Sequence, residues 1–394
     1  MTRLPIPFAD FVADPLGALA RGREAGGFAD LEVGVGVLAH DDVRALLADP
    51  RLRANFPSFL ESFGVTEGPF HEWMSMSPLN HDGAEHQDWR SVLSRTFTPK
   101  RVERIRPFLR DAAHTLIDEF APRGNCEFMA EFADAYPSLG LCELIGVPSE
   151  DRERFRGWAN MIGLGFSPVG LAERIGEIDA ALVELLAYTR QLAATRRTEP
   201  RDDLVTRIAE AADQDGWDDD RVAATIAGLV FAGHETTKNQ LGWMIAVLAE
   251  QSGIWDAVAA GTLAVADVVE ETIRYRSTVT SVGRRAAESI ECGSDRIEAG
   301  EQVLLSLWSA DHDGAVYPHP DELNVTGNTE PHLAFGHGAH HCIGAALARA
   351  ELQDALAALT ARLECPRVAD GATWKPPIGI NGPDTLPITF AARP

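Results

Sequence analysis

With 394 residues, 45% of them apolar, the chain has enough hydrophobic material to bury one large or two modest cores, which excludes a disordered protein. Its 35 Lys and Arg face 59 Asp and Glu, a net charge of -24 that argues against a nucleic-acid binder or a protein held on anionic lipid. The five cysteines are scattered, the first thirty residues carry no signal peptide, and no run of eighteen apolar residues occurs, so the expected location is the cytoplasm.

In chain order, a β-richer N-terminal part of about residues 1–60 comes first, with LEVGVGVLA (31–39) as its strand-like run. Residues 56–76, FPSFLESFGVTEGPFHEWMSM, then carry four Phe, one Trp and two Met with no clean period. A helical body follows over about 80–275, where 103–120, 178–196 and 218–251 place apolar side chains three or four apart. No proline lies between Arg201 and Tyr317, so 218–251 can run as one helix of roughly 50 Å at 1.5 Å per residue. Its acidic start, Asp218 to Asp220, suits the positive end of a helix dipole. The C-terminal part, about 276–394, alternates strand-like pieces (287–292, 302–307, 386–390) with a helical run at 344–363. The expected class is mainly α with small β-sheets, in a single domain spanning 1–394, without internal repeats.

The stretch FGHGAHHCIG (335–344) concentrates the chemistry. A closed zinc site needs four ligands around a tetrahedron, but His340, His341 and Cys342 are consecutive and no second Cys/His cluster completes a shell. A nucleophilic thiol is the next reading. The run after Cys342, IGAALARAELQDALAAL, is strongly helix-forming, so the sulfur sits at a helix N-terminus, where a thiol is acidified. The same environment makes a thiolate metal ligand. Gly336, Gly338 and Gly344 allow close backbone approach to a flat object, which suits a haem iron.

Phe335, Gly336, Gly338, His340, Cys342, Gly344, Leu347, Ala348 and Arg349 complete the spacing F-G-x-G-x-H-x-C-x-G-x-x-L-A-R. In this the chain resembles the cytochrome P-450 monooxygenases, haem-thiolate enzymes that in bacteria are soluble, with landmarks from about residue 80 to 363. The resemblance implies the cytochrome P-450 fold, haem b as cofactor, dioxygen as co-substrate and Cys342 as the proximal iron ligand. A thiolate there pushes electron density onto the iron and favours O–O cleavage. Phe335, Gly336 and Gly344 would line the haem and His340 would reach a propionate, while His337 and His341 take no role.

The other landmarks follow in the family's order. AGHETT (232–237) sets a glycine and two threonines inside the long helix, against propensity. A threonine back-bonded to a carbonyl would account for a kink there. The resemblance implies instead a widened turn over the haem, with Ala232 and Gly233 leaving room for oxygen and Glu235 and Thr236 as a proton relay. EETIRY (270–275) places Glu271 and Arg274 on one helix face and resembles the family's buried structural pair. Its usual third member, an arginine five residues before His332, is Gly327 here. His86 and Arg90, four apart in EHQDWR, resemble propionate ligands, as does Arg284, with Arg285 as its competitor.

For the substrate, residues 56–76 would roof the pocket and Trp158 to Pro168 (WANMIGLGFSP) would form its lid, with Thr278, Val279 and Ile378 to Gly382 as further lining. Ordinary core packing accounts for 56–76 equally well. A proline usual at position 278 is absent. An aromatic, Met-rich lining suits a compact apolar or aromatic substrate. Electrons from NAD(P)H would arrive through a ferredoxin reductase and a ferredoxin, docking near Arg95, Lys100, Arg101 and Arg349, on a monomeric enzyme. The alternatives are a peroxide-driven peroxygenase and a non-catalytic haem-binding protein, neither of which needs the acid and threonine.

Overall fold

The computed structural model describes residues 3–167, 170–293 and 295–393. The helical periods of the sequence are realised, with boundaries set by local chemistry. The helix expected over 103–120 runs Pro99–Phe120, because Pro at its first position costs no hydrogen bond and presets φ. The one expected at 178–196 extends to Leu171–Thr198, and the run at 344–363 forms Ala345–Arg362. The long segment is one unbroken helix, Asp219–Leu248, whose Asp218 side chain accepts from the Arg221 amide as an N-cap.

The β-structure departs more from expectation. LEVGVGVLA is not one strand. Phe28–Leu31 and Gly34–Val37 form an antiparallel hairpin turning at residues 32–33. Gly34 lies at φ +129°, and a Cβ there would come 2.2 Å from the carbonyl oxygen of Gln302, so the strand passes its neighbour only as glycine. The piece expected at 287–292 is shorter, Ile290–Cys292, and the stronger strand is Ser281–Ala286 just before it. Gln302–Ser306 and Pro387–Thr389 match expectation closely. The largest sheet has six strands, ordered Leu4–Pro5, Phe28–Leu31, Gly34–Val37, Gln302–Ser306, Ser281–Ala286, Leu52–Ala54. It therefore joins the N-terminal part to residues 281–306.

Two large apolar clusters fill the helical body, and the central helix and the helix after Cys342 each run through both. The central helix gives Val222, Ile226, Val230 and Phe231 to the first and Leu241, Met244, Ile245 and Leu248 to the second. The helix after Cys342 gives Leu347 and Ala350 to the first and Leu352, Ala355, Leu356 and Leu359 to the second. Ala232 to Thr236 fall where the central helix leaves one cluster and enters the other. Ala232 is exposed there although its neighbour Phe231 is buried, so an internal space opens beside that turn.

The Glu271–Arg274 pair is buried and bidentate, at 2.7 and 2.8 Å. Arg274 also donates to the carbonyls of Asp311, Pro320 and Glu322. With glycine at 327, the side-chain amide of Asn328 donates to Glu271 Oε1 at 3.0 Å, and the Asn324 amide adds a second bond at 2.8 Å. Neutral donors thus stand where a second cation was expected.

Candidate active site

The cysteine loop is shaped by Gly336 (φ +70°) and Gly338 (φ +73°), conformations closed to most side chains. A Cβ on Gly338 would lie 2.9 Å from the backbone of Ala48. The Cys342 amide donates to the Phe335 carbonyl at 2.9 Å, closing the loop. Cys342 is exposed yet ringed by protein atoms, so its sulfur faces an internal space. Desolvation pushes the thiol pKa up, opposed by the amides of Gly344 and Ala345 and by Arg90 and Arg349. An anionic sulfur there is solvated by a helix N-terminus instead of water.

Beside this loop the structure gathers an excess of basic groups. His86, on the helix Gly83–Thr96, is buried with its ring 4.1 Å from that of His340. Burial, helped by His340, Arg90 and Arg284, lowers the His86 pKa to about 4. Arg90 follows one turn later, and Arg284 joins from the strand Ser281–Ala286. Alternation along that strand buries Arg284 and exposes Arg285, so Arg284 is the one turned inward. Among the described residues Arg284 donates only to its own neighbour, the Gly283 carbonyl, and burial lowers its pKa. The one carboxylate in the group is Asp82, 3.1 Å from His340 Nε2. Two arginines face one acid beside two imidazoles, so positive charge is left uncompensated, which burial makes costly. A dianionic ligand with two carboxylates would neutralise it. These residues therefore fit the propionates of a haem, and the accessible thiol beside glycine backbone fits its iron.

On the central helix, Thr236 Oγ1 donates to the Ala232 carbonyl at 2.7 Å. The helix does not break there, so the expected widened turn is replaced by back-bonding within regular α-geometry. Gly233 is partly buried, and a Cβ on it would press to 3.1 Å from Leu141. Glu235 is buried and caged. Lys375 Nζ donates to Oε1 at 2.6 Å, Asn239 Nδ2 donates to the same oxygen at 2.9 Å, and Lys238 Nζ lies 3.3 Å from Oε2. Burial works to raise the carboxyl pKa, but Lys238, Lys375 and His234 outweigh it and hold it at about 2. Lys238 also meets Asp134 and the Asn160 side chain of the lid helix Arg152–Gly163.

The aromatic stretch divides in two. Phe70, Trp73 and Met74 are core, Trp73 donating to the Ala224 carbonyl. Phe56 and Phe59 are only partly buried, and Phe56 packs 5.0 Å from Phe166 in the lid turn Leu164–Phe166. Phe166 stacks on Phe231 of the central helix at 3.7 Å and 9°, next to Ala232. Pro168, the last residue of the expected lid, lies outside the described residues. Thr278 donates to the Thr236 carbonyl at 3.3 Å, and Val279 pairs with Ile380, so the two expected wall segments, 278–279 and 378–382, meet beside the threonine turn.

Sequence reasoning missed Asp82, Lys238 and Lys375, whereas Phe166 falls inside the expected lid. Lys238 stands three residues from Glu235, a spacing readable on a helix. Lys375 lies 140 residues away, with no local signal. The expected docking cations are also altered. Arg95 pairs with Asp215, Arg101 with Asp202 and Arg349 with Glu270. Lys100 alone of the four has no carboxylate at pairing distance among the described residues.

Comparison with known proteins fits this geometry. The family described as Cytochrome P450 matches residues 263–372. The chain is 32% identical over 394 residues to luteothin monooxygenase of Streptomyces thioluteus, covering 98% of this chain and 97% of that protein. It is 34% identical to the mycinamicin IV hydroxylase/epoxidase of Micromonospora griseorubida, over 90% of this chain and 89% of that one. Among solved structures, cytochrome P450 CYP109Q5 from Chondromyces apiculatus superposes with a TM-score of 0.89 at 27% identity, covering 100% of both chains.

Proposed function

Because this chain belongs to the cytochrome P450 family, and is thus a monooxygenase using haem b and dioxygen, we propose that Cys342 is the thiolate ligand of its iron. The observation that carries the assignment is the accessible Cys342 sulfur, backed by the amides of Gly344 and Ala345 and flanked by His86, Arg90, Arg284 and His340. Those four side chains would hold the propionates, and Phe335, Gly336 and Gly344 would line the ring. The haem, when bound, supplies activation of dioxygen and transfer of one oxygen atom to the substrate.

The remaining roles belong to the chain itself. Lys375 and Lys238 are partly exposed and both bond Glu235, so a charged, hydrogen-bonded route runs from the surface to a buried carboxylate. Glu235 would take protons along that route and pass them toward Thr236. The Thr236 hydroxyl, anchored by donating to the Ala232 carbonyl, keeps its lone pairs free to accept. Ala232 and Gly233 leave the space beside it.

Phe56, Phe59, Phe166 and Phe231 favour a compact apolar or aromatic substrate, oxidised by hydroxylation, O-dealkylation or a related step. The two named relatives carry different substrates in their names, so the family alone leaves this choice to the pocket. A ferredoxin with its reductase would supply electrons, and Lys100 is the exposed cation offered to it. Replacing Lys100 by Glu should slow reduction of the iron, and an unchanged rate would remove this residue from the docking surface.

The decisive experiment is spectroscopic. The ferrous–CO complex should show the red-shifted Soret band of thiolate ligation, and Cys342→Ser should abolish it. A band that survives the substitution refutes the ligand assignment.

A further inference from the structure

Glu270 precedes the buried Glu271 on the helix Val265–Tyr275 but bonds different partners. Arg349 grips it with both prongs, Nε to Oε1 at 2.7 Å and Nη2 to Oε2 at 2.8 Å. His332 Nε2 lies 3.3 Å from Oε2. The Ala334 amide donates to His332 Nδ1 at 3.2 Å, which puts the imidazole proton on Nε2, facing the carboxylate. One carboxylate therefore grips Arg349, seven residues after Cys342, and stands against the buried ring of His332, ten residues before it.

Both of those side chains lie on Phe335. The Arg349 guanidinium sits 4.5 Å from the ring centroid and the His332 ring 5.5 Å away. The Phe335 carbonyl accepts the Cys342 amide proton at 2.9 Å. The path is continuous from carboxylate to cation and imidazole, to aromatic ring, to the backbone of the cysteine. Isolated surface pairs contribute little. This one is bidentate, has a third member that is almost fully buried, and stays ionised: burial would raise the Glu270 pKa, but His332 and Arg349 hold it at about 2.

We infer that Glu270 is a positioning residue for the sulfur. By holding Arg349 and His332 against Phe335 it fixes the loop that presents Cys342, and so sets how firmly the sulfur stays an iron-bound thiolate. The inference rests on Cys342 being the ligand. Without the clamp, Phe335 is free to shift, its carbonyl loosens from the Cys342 amide, and the sulfur would be presented to the iron less firmly, as a weaker donor.

The test compares Glu270→Gln, Phe335→Leu and the double variant in the haem-loaded protein, reading two properties other than turnover. Glu270→Gln should speed thermal loss of the red-shifted ferrous–CO band about fivefold or more, a change worth about 1 kcal/mol. It should also move the ferric/ferrous potential to more positive values, and Glu270→Asp should restore both in part. In the Phe335→Leu background the effect of Glu270→Gln should largely vanish, since the ring that transmits it is gone. If Glu270→Gln does not fold, Arg349→Lys carries the same test, keeping the charge and losing the fork. An unchanged band lifetime and potential overturn the inference, as does an effect undiminished by Phe335→Leu. A wild-type protein without the red-shifted band, or Cys342→Ser retaining it, overturns the ligand assignment and the inference with it, and is read before any Glu270 variant.

Discussion

Lys375, in the C-terminal segment, places its Nζ 2.6 Å from Oε1 of Glu235 in the middle of the central helix. This contact ties a wall of the pocket to the buried acid. Removing the lysine leaves an ionised carboxylate with one cation fewer, and breaking a buried pair costs about 3 kcal/mol. Lys375→Met should therefore lower the thermal midpoint clearly, whereas in a Glu235→Gln background the same substitution should cost far less. Equal losses in both backgrounds, measured by calorimetry, would show that the pair is not coupled.

Thr236→Ala removes the hydroxyl anchored on the Ala232 carbonyl without disturbing a regular helix, since alanine is the best helix former. Oxygen consumption should continue while product per dioxygen falls about a hundredfold, at the low end for loss of a proton-transfer group. Parallel measurement of oxygen uptake and product checks this, and unaltered coupling would remove Thr236 from the relay.

Asn328→Leu should destabilise the protein by about 2 kcal/mol, because a buried Glu271 oxygen loses a donor that no water replaces. Denaturant unfolding reads this directly. A loss under about 0.5 kcal/mol, the range of a neutral surface change, would mean the Asn324 amide suffices.

His312 is buried with Nδ1 on the Trp308 carbonyl and Nε2 beside Arg276. Burial, then Arg276 and Arg274, lower its pKa to about 3 from 6.5. The unfolded chain therefore binds a proton below pH 6.5 that the folded chain refuses until about pH 3. The stability this group contributes is complete above pH 6.5 and is lost as pH falls toward 3, on the order of 5 kcal/mol over that window. His312→Gln should flatten the acid limb of a stability–pH curve, and an unchanged slope would assign that limb to other groups.

Phe166→Ala opens the lid turn by deleting the ring stacked 3.7 Å from Phe231. Spin-state titration with a series of apolar ligands should show bulkier members gaining affinity about tenfold relative to compact ones, the scale of one to three kcal/mol for a pocket contact. An unchanged ranking would place Phe166 outside the substrate's reach.

The sequence by itself determined the elements whose cause is local. Helical periods, the Asp218 cap and the glycine spacing around Cys342 are written within a few residues of where they act, and each appears in the structure. The hairpin at 28–37 escaped because strand and turn chemistry differ by one or two residues, and Gly34 is required by a neighbour some 270 positions away. Tertiary structure decided the rest for one physical reason. Charge and burial act through space, so the partners of Glu235, the inward turn of Arg284 and the neutral cap on Glu271 depend on which distant segments meet. The internal space beside Ala232 and Cys342 is likewise a property of two helices threading two clusters, and no local pattern encodes a void.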